Sequence, residues 1–159
     1  MGNYVDGKAL RKLYLGIEVP RAAENIAIDP TPGAPIYDVV GLCLVTGLLG
    51  VCTTTHGGAA NNMFLEFNPD LAASATSDIT ATADIGTTAV AGDVGVVVGA
   101  PATALLVGHV ALNVLGSTGG QGIVFNDGVI GLTADAANGA WRWIIFYIPL
   151  DDGAYIVAL

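Results

Sequence analysis

The stretch Asn138-Gly139-Ala140-Trp141-Arg142-Trp143-Ile144-Ile145-Phe146-Tyr147-Ile148-Pro149 decides the fold. Side chains alternate across an extended strand, so Trp141, Trp143, Ile145 and Tyr147 share one face. Arg142, Ile144, Phe146 and Ile148 share the other. Both faces are largely apolar, which predicts a central strand covered on both sides. Asn138-Gly139 ahead of it reads as a tight hairpin turn, because type I′ turns need positive φ at both central positions. Pro149 ends the run. Asp151-Asp152-Gly153 then turns the chain, and Ala154–Leu159 returns as a last strand.

Working outward, the body has the same character. Ile36–Thr46 and Leu48–Thr55 read as two strands around a turn at Gly47. Met63–Phe67 is a third, closed by Asn68-Pro69-Asp70. Residue size and polarity alternate through Asp78–Ile85. Val94–Val98 and Leu105–Leu115 are apolar runs of the buried-strand type, and Ser117–Gly122 is a flexible connection. Gly122–Phe125 and Val129–Thr133 flank Asn126-Asp127-Gly128. About eight to ten short strands and no long helix predict an all-β body, a β-sandwich or jelly roll, spanning residues 36–159.

The N-terminal part differs. Lys8, Arg11, Lys12 and Arg21 are four of the chain's five bases, and with Asp6 and Glu18 they give residues 1–21 a net charge of +2. Residues 22–159 carry twelve acids against Arg142 alone, a net charge of −11. Leu10, Leu13 and Ile17 share one face of a short helix limited by Gly16 and Pro20. Asp29-Pro30-Thr31-Pro32-Gly33-Ala34-Pro35 reads as a stiff, extended linker. Residues 1–35 are therefore expected to form an arm, long enough when stretched to reach roughly 100 Å, onto a neighbouring subunit. Four cations before an acidic body do not make a nucleic-acid footprint.

Of the 159 residues, 53% are apolar and only 12% charged. Val39–Leu65 and Val94–Asn126 contain no Asp, Glu, Lys or Arg. A lone monomer would struggle to cover that much uncharged surface, so the composition fits a subunit that buries its sides against copies of itself. A small membrane protein is the competing explanation. Val39–Cys52 is short for a span, and Val94–Leu115 contains Pro101, His109 and Asn113, which are costly in lipid. Cys43 and Cys52 read as buried thiols, although a hairpin at Gly47 would bring them opposite each other for a disulfide.

No catalytic constellation stands out. His56 and His109 lack neighbours at zinc-ligand spacing, and there is no calcium loop, nucleophile elbow or phosphate cradle. Neither cofactor nor metal is expected. Arg142, alone among the body's acids and set between two tryptophans, reads as a salt-bridged residue. In a sharper version it forms an ion pair between subunits, with Trp141, Arg142 and Trp143 at the oligomer interface.

Two stretches carry a resemblance: Val45-Thr46-Gly47-Leu48-Leu49-Gly50-Val51-Cys52-Thr53-Thr54-Thr55 through Ala59-Ala60-Asn61-Asn62, and Asn138-Gly139-Ala140-Trp141-Arg142-Trp143 through Tyr147-Ile148-Pro149-Leu150-Asp151-Asp152-Gly153-Ala154. Together they resemble small virion structural proteins of tailed bacteriophages, of the capsid cement or decoration type, over residues from about 37 to the C-terminus. The resemblance implies a non-enzymatic β-rich protein, often a homotrimer, on the outside of an icosahedral head assembled in the host cytoplasm. Its partners would be the major capsid protein and itself, with neither nucleic acid nor membrane. The arm would then dock on the shell, with Leu10, Leu13, Tyr14 and Leu15 as apolar anchors. Lys8, Arg11, Lys12 and Arg21 would meet acidic groups. A head- or tail-fibre module that binds a host receptor is the runner-up.

Overall fold

The alternation from Trp141 to Ile148 forms a ten-residue strand, Ala140–Pro149. The computed structural model describes residues 7–21, 26–27, 31–71, 74–97, 103–104, 106–108 and 122–159. Among them are one helix, α1 (Gly7–Leu15), and fifteen strands. The strands are β1 (Ile17–Pro20), β2 (Ile26–Ala27), β3 (Ala34–Val40), β4 (Cys43–Thr54), β5 (Asn62–Pro69), β6 (Ser77–Asp78), β7 (Thr80–Ala81) and β8 (Ala83–Asp84). They continue as β9 (Val94–Val96), β10 (Thr103–Ala104), β11 (Leu106–Gly108), β12 (Ile123–Phe125), β13 (Gly128–Ala134), β14 (Ala140–Pro149) and β15 (Tyr155–Ala158).

Two antiparallel sheets face each other as a β-sandwich. The first runs β1-β14-β4-β9-β11, with β12 also on β4 and β2 also on β14. The second runs β15-β3-β13-β5-β6, with β8 also on β5. β7 and β10 form a small parallel pair. The long strands β3, β4, β5, β13, β14 and β15 change sheet at every step except where the chain passes through the short strands between β5 and β13. These strand orders describe the sandwich, and nothing in them singles out a jelly roll.

One core lies between the sheets. From β14 it takes Trp141, Trp143, Ile145 and Tyr147, the face read from the sequence. The opposite sheet supplies Tyr37 and Val39 from β3, Met63 and Leu65 from β5, and Ile130 and Leu132 from β13. The two indoles stack, with ring centroids 5.8 Å apart and planes inclined by 21°. Gly50 on β4 makes the stack fit. A Cβ there would lie 2.8 Å from Trp141 Cε3 and 2.8 Å from Trp143 Cζ3.

β14 is central, between β1 and β4. Its outer face is covered unevenly: Phe146 is buried, Arg142 and Ile144 are half-buried, and Ile148 is exposed. The expectation of full cover on both faces therefore holds only in part.

Three local readings are corrected. β4 passes straight through Gly47, and the turn before it lies at Gly41-Leu42, where Gly41 has φ 70°. Gly47 sits beside a bulge instead. Phe146 pairs with Gly47 and Tyr147 with Val45, so Thr46 is an extra residue on β4. Cys43 and Cys52 consequently sit on one strand, about 30 Å apart at the strand rise, and both are free thiols. Burial pushes both thiol pKa values up, with Asp151 and Asp127 adding to the shift at Cys43. Asn138-Gly139 is no hairpin either, because β13 and β14 lie in different sheets. Gly139 does take the left-handed φ, 79°, but at a sandwich corner packed on the His56 ring.

The third correction concerns residues 1–35, which do not form one detached arm. Ile17–Pro20 joins the first sheet, pairing Ile17 with Tyr147 through Pro20 with Ile144. Ala34 and Pro35 already belong to β3. Only part of the proline-rich linker is described, since residues 28–30 lie outside the described set. So does most of Leu105–Leu115, and so does Ser117–Gly122 up to Gly122 itself.

Candidate functional site

α1 comes from a run of strong helix formers, Ala9-Leu10-Arg11-Lys12-Leu13, and stops at Gly16 with φ 88°. Gly16 also meets β14 closely, for a Cβ would fall 2.1 Å from the Tyr147 carbonyl oxygen. The Gly16 N–H donates to the Lys12 carbonyl at 3.2 Å. The hydroxyl of Thr46, the bulged residue, lies between two carbonyls: it donates to that of Leu15, which moors the helix end, and is 3.2 Å from that of Phe146. Beyond that mooring the helix leaves the body: Lys12 is exposed, Leu13 is 76% exposed and Tyr14 72%. By helical register Ala9, Leu10, Leu13 and Tyr14 lie on one arc, and Lys8, Arg11 and Lys12 on the other. Gly7–Leu15 carries three cations and no acid.

The anticipated anchors divide accordingly. Lys12, Leu13 and Tyr14 face solvent, and Leu15 is half-buried where the helix meets the sheet. Lys8, Leu10 and Arg11 lie on α1, and their side chains lie outside the described set. Arg21 is engaged at home. Its Nε donates to the Leu159 carbonyl at 3.2 Å and its Nη2 to the Pro35 carbonyl at 3.3 Å. Its backbone N–H donates to the Trp143 carbonyl at 3.1 Å. One residue thus ties the first sheet to the edge of the second. Partial burial lowers the guanidinium pKa, while Tyr37 acts in the opposite sense. Tyr37 is itself buried, which raises its pKa, and its hydroxyl donates to the Val19 carbonyl at 3.2 Å.

The expected oligomer interface is also corrected. Trp141 and Trp143 are each 1% exposed and lie inside this chain's own core, because the second sheet covers them. Arg142 points to the outer face of the first sheet. Its Nε is buried without a hydrogen-bond partner among the described residues.

Beside β12 the structure holds a groove that sequence reading missed. It has a volume of about 230 Å³ and is lined by Phe67, Ile79, Ile123, Val124 and Phe125 together with the polar Ser77, Asp78 and Asn126. Phe67 and Phe125 meet across the sheets with centroids 4.7 Å apart. The strands that build it run into Asp70 and Asp127, whose loops join through an Asp70 N–H to Asp127 carbonyl bond of 3.1 Å. Asp151 and Asp152 turn at the same end.

The far end is closed by polar groups. Asn61 is fully buried; its Nδ2 donates to the Ala136 carbonyl at 3.0 Å, and the Ala136 N–H returns to Oδ1 at 3.1 Å. Asp84 accepts the Asn61 and Gly86 backbone N–H groups, which hold its carboxyl pKa low. His56 is 5% exposed, and its Nε2 accepts the Trp141 Nε1–H at 2.9 Å. This pattern assigns the imidazole proton to Nδ1, which is buried and has no partner among the described residues.

A pH dependence follows from this ring. Burial lowers the His56 pKa below its ordinary 6.5. The unfolded chain therefore takes up a proton first as pH falls. Stability is full above about 6.5 and declines below it, until the folded-state value is reached. Protonation also turns Nε2 into a donor facing the Trp141 donor. Urea midpoints between pH 7 and 5 should fall more steeply for the native chain than for His56→Gln, which keeps an acceptor. Equal slopes would refute a role for His56.

Among the described residues no group of three or more His, Cys, Asp or Glu could hold a metal ion. No described helix is long and apolar enough to cross a membrane. No family model, curated protein or solved structure matches the chain.

Proposed function

We propose that this chain is a non-enzymatic structural protein of a tailed-phage head, which binds the outer capsid surface as a symmetric oligomer and braces neighbouring capsomers. The observation that carries the reading is α1. A basic helix with Leu13 and Tyr14 in solvent, moored at its C-terminal end to an acidic β-sandwich, has the form of a docking element. The resemblance of residues 45–62 and 138–154 to decoration proteins supports the virion setting. In this reading Lys8, Arg11 and Lys12 meet acidic groups of the major capsid protein, and Arg21 instead holds the body together. A homotrimer suits the family resemblance, and many weak contacts on one particle add by avidity.

The test is gradient co-sedimentation with undecorated phage heads. Full-length protein should travel with the heads, and a version lacking residues 1–15 should not. Head binding by both versions would remove α1 from the contact; binding by neither would remove the head reading. One observation favours a second reading, a fibre module for a host receptor. The aromatic Phe67–Phe125 groove is the kind of concavity such a module uses.

A further inference from the structure

We propose that, in the protein free of phage heads, the groove between β6 and β12 receives α1 of a second copy of this chain and forms the subunit contact, which α1 leaves when it docks on the shell as in the proposed function. Each half is incomplete alone. Leu13 and Tyr14 lie on the apolar arc of a helix and are 76% and 72% exposed. The groove is a mostly apolar concavity, with two phenylalanines and the polar Ser77, Asp78 and Asn126 in its lining and nothing from the described residues inside it. Val124, on its outer wall, is 54% exposed. An amphipathic helix laid in an apolar groove is a recurring recognition mode, with anchors at spacings of three and four residues.

Charge decides which occupant fits. The groove is bordered by Asp78, and the strands that wall it lead to Asp70 and Asp127; none of its lining residues is basic. Gly7–Leu15 carries Lys8, Arg11 and Lys12 and no acid. Residues 22–159 contain no other base than Arg142, which is on β14 and pairs with Val51, far along β4 from the row that β12 joins. Within this chain only α1 combines exposed apolar side chains with several cations.

Placement also favours a closed assembly. Val124 pairs with Leu44, and Leu44 with Ile148, so these three residues form one row across the sheet. Gly16, where α1 leaves the body, packs on Ile148. Gly16 continues the line of β1 beside β14, so helix root and groove wall are three strand spacings apart, about 14 Å, at one end of the sandwich. A rotation axis through that end lets each copy give its helix and receive another, and a ring or dimer built this way leaves no half-site open.

The test mixes two full-length variants. Leu13→Ala/Tyr14→Ala disables the helix and keeps the groove; Val124→Arg blocks the groove and keeps the helix. All three side chains are exposed, so both variants should fold, as circular dichroism will verify. Sedimentation velocity without phage heads should show a self-associating native chain and, for each variant alone, association weakened roughly tenfold or more. Mixing the variants should restore part of the association, because one intact helix–groove pair survives between unlike copies. Three results each overturn the proposal. These are a monomeric native chain, variants that associate as strongly as the native chain, and a mixture that stays as dissociated as its parts. The last would place α1 in its own groove or in none. Because no heads are present, this outcome is read separately from the capsid-binding result.

Discussion

Trp143→Ala is expected to lower the unfolding free energy by about 3–5 kcal/mol, the cost of emptying a fully buried aromatic site. The ring is 1% exposed and stacks on Trp141. β4 and β14 are paired without a break from Trp141 to Phe146 and cannot slide together to refill the space. Gly50→Ala acts in the opposite way, by overfilling. Its new methyl would sit 2.8 Å from atoms of both indoles, neither of which has a flexible end to withdraw. A cost of about 1–3 kcal/mol follows. The two changes share one volume, so they should not add. In the double variant the alanine methyl occupies space the indole vacates, although Trp141 still limits the relief. The double variant should be more stable than the sum of the two costs implies, by about 1 kcal/mol. Urea denaturation of the four proteins gives the cycle directly. Strict additivity would mean that Gly50 is needed in this packing for its backbone alone, against the geometry of the stack.

The same stack shows what a sequence makes legible. The alternation of Trp141, Trp143, Ile145 and Tyr147 is local, and local periodicity identified both the strand and its core face. What covers that face is not local. An apolar surplus is spent equally well on a second sheet of the same chain or on a second copy, and the tryptophans proved to face β3, β5 and β13. Glycine misled for a related reason. At Gly47 it reads as a turn, yet the backbone irregularity is the Thr46 bulge one residue earlier, and the chain continues extended. At Asn138-Gly139 the left-handed conformation was legible and the strand pairing was not, because pairing partners are chosen across the whole sheet. The helix at Gly7–Leu15 was partly legible from the 10, 13, 17 spacing. Ile17, however, spends its side chain on strand β1, which no local pattern distinguished from the end of the helix. The groove was illegible, since Phe67 and Phe125 are 58 positions apart. Its one sequence trace is that each phenylalanine directly precedes an asparagine at a strand end.

A version lacking residues 1–32 should be far less stable than one lacking residues 1–15, although both remove the whole of α1. The longer deletion takes β1 and Arg21 as well. Val19 then no longer packs against the core, and Tyr37 loses the carbonyl that its buried hydroxyl donates to. The Arg21 bonds to Leu159 and Pro35 disappear, and with them the tie between the sheets. Burial and charge-assisted hydrogen bonds of this kind sum to roughly 3–6 kcal/mol, against a typical total of about 5–15 kcal/mol for a domain. The deletion also leaves one edge of β14 open from Ile144 to Tyr147, a hydrophobic edge able to pair with another chain. The expected result is a lower urea midpoint together with aggregation. Removing residues 1–15 forfeits chiefly the Thr46 bond to Leu15, so it should cost about 1 kcal/mol or less. The measurement is thermal and urea unfolding of both truncations beside the native chain. Equal stability of the two truncations would mean that β1 adds nothing to the sandwich. The predicted gap instead makes residue 16 the boundary between α1 and the folded body, so a cut there tests the proposed binding role of α1 without loss of fold.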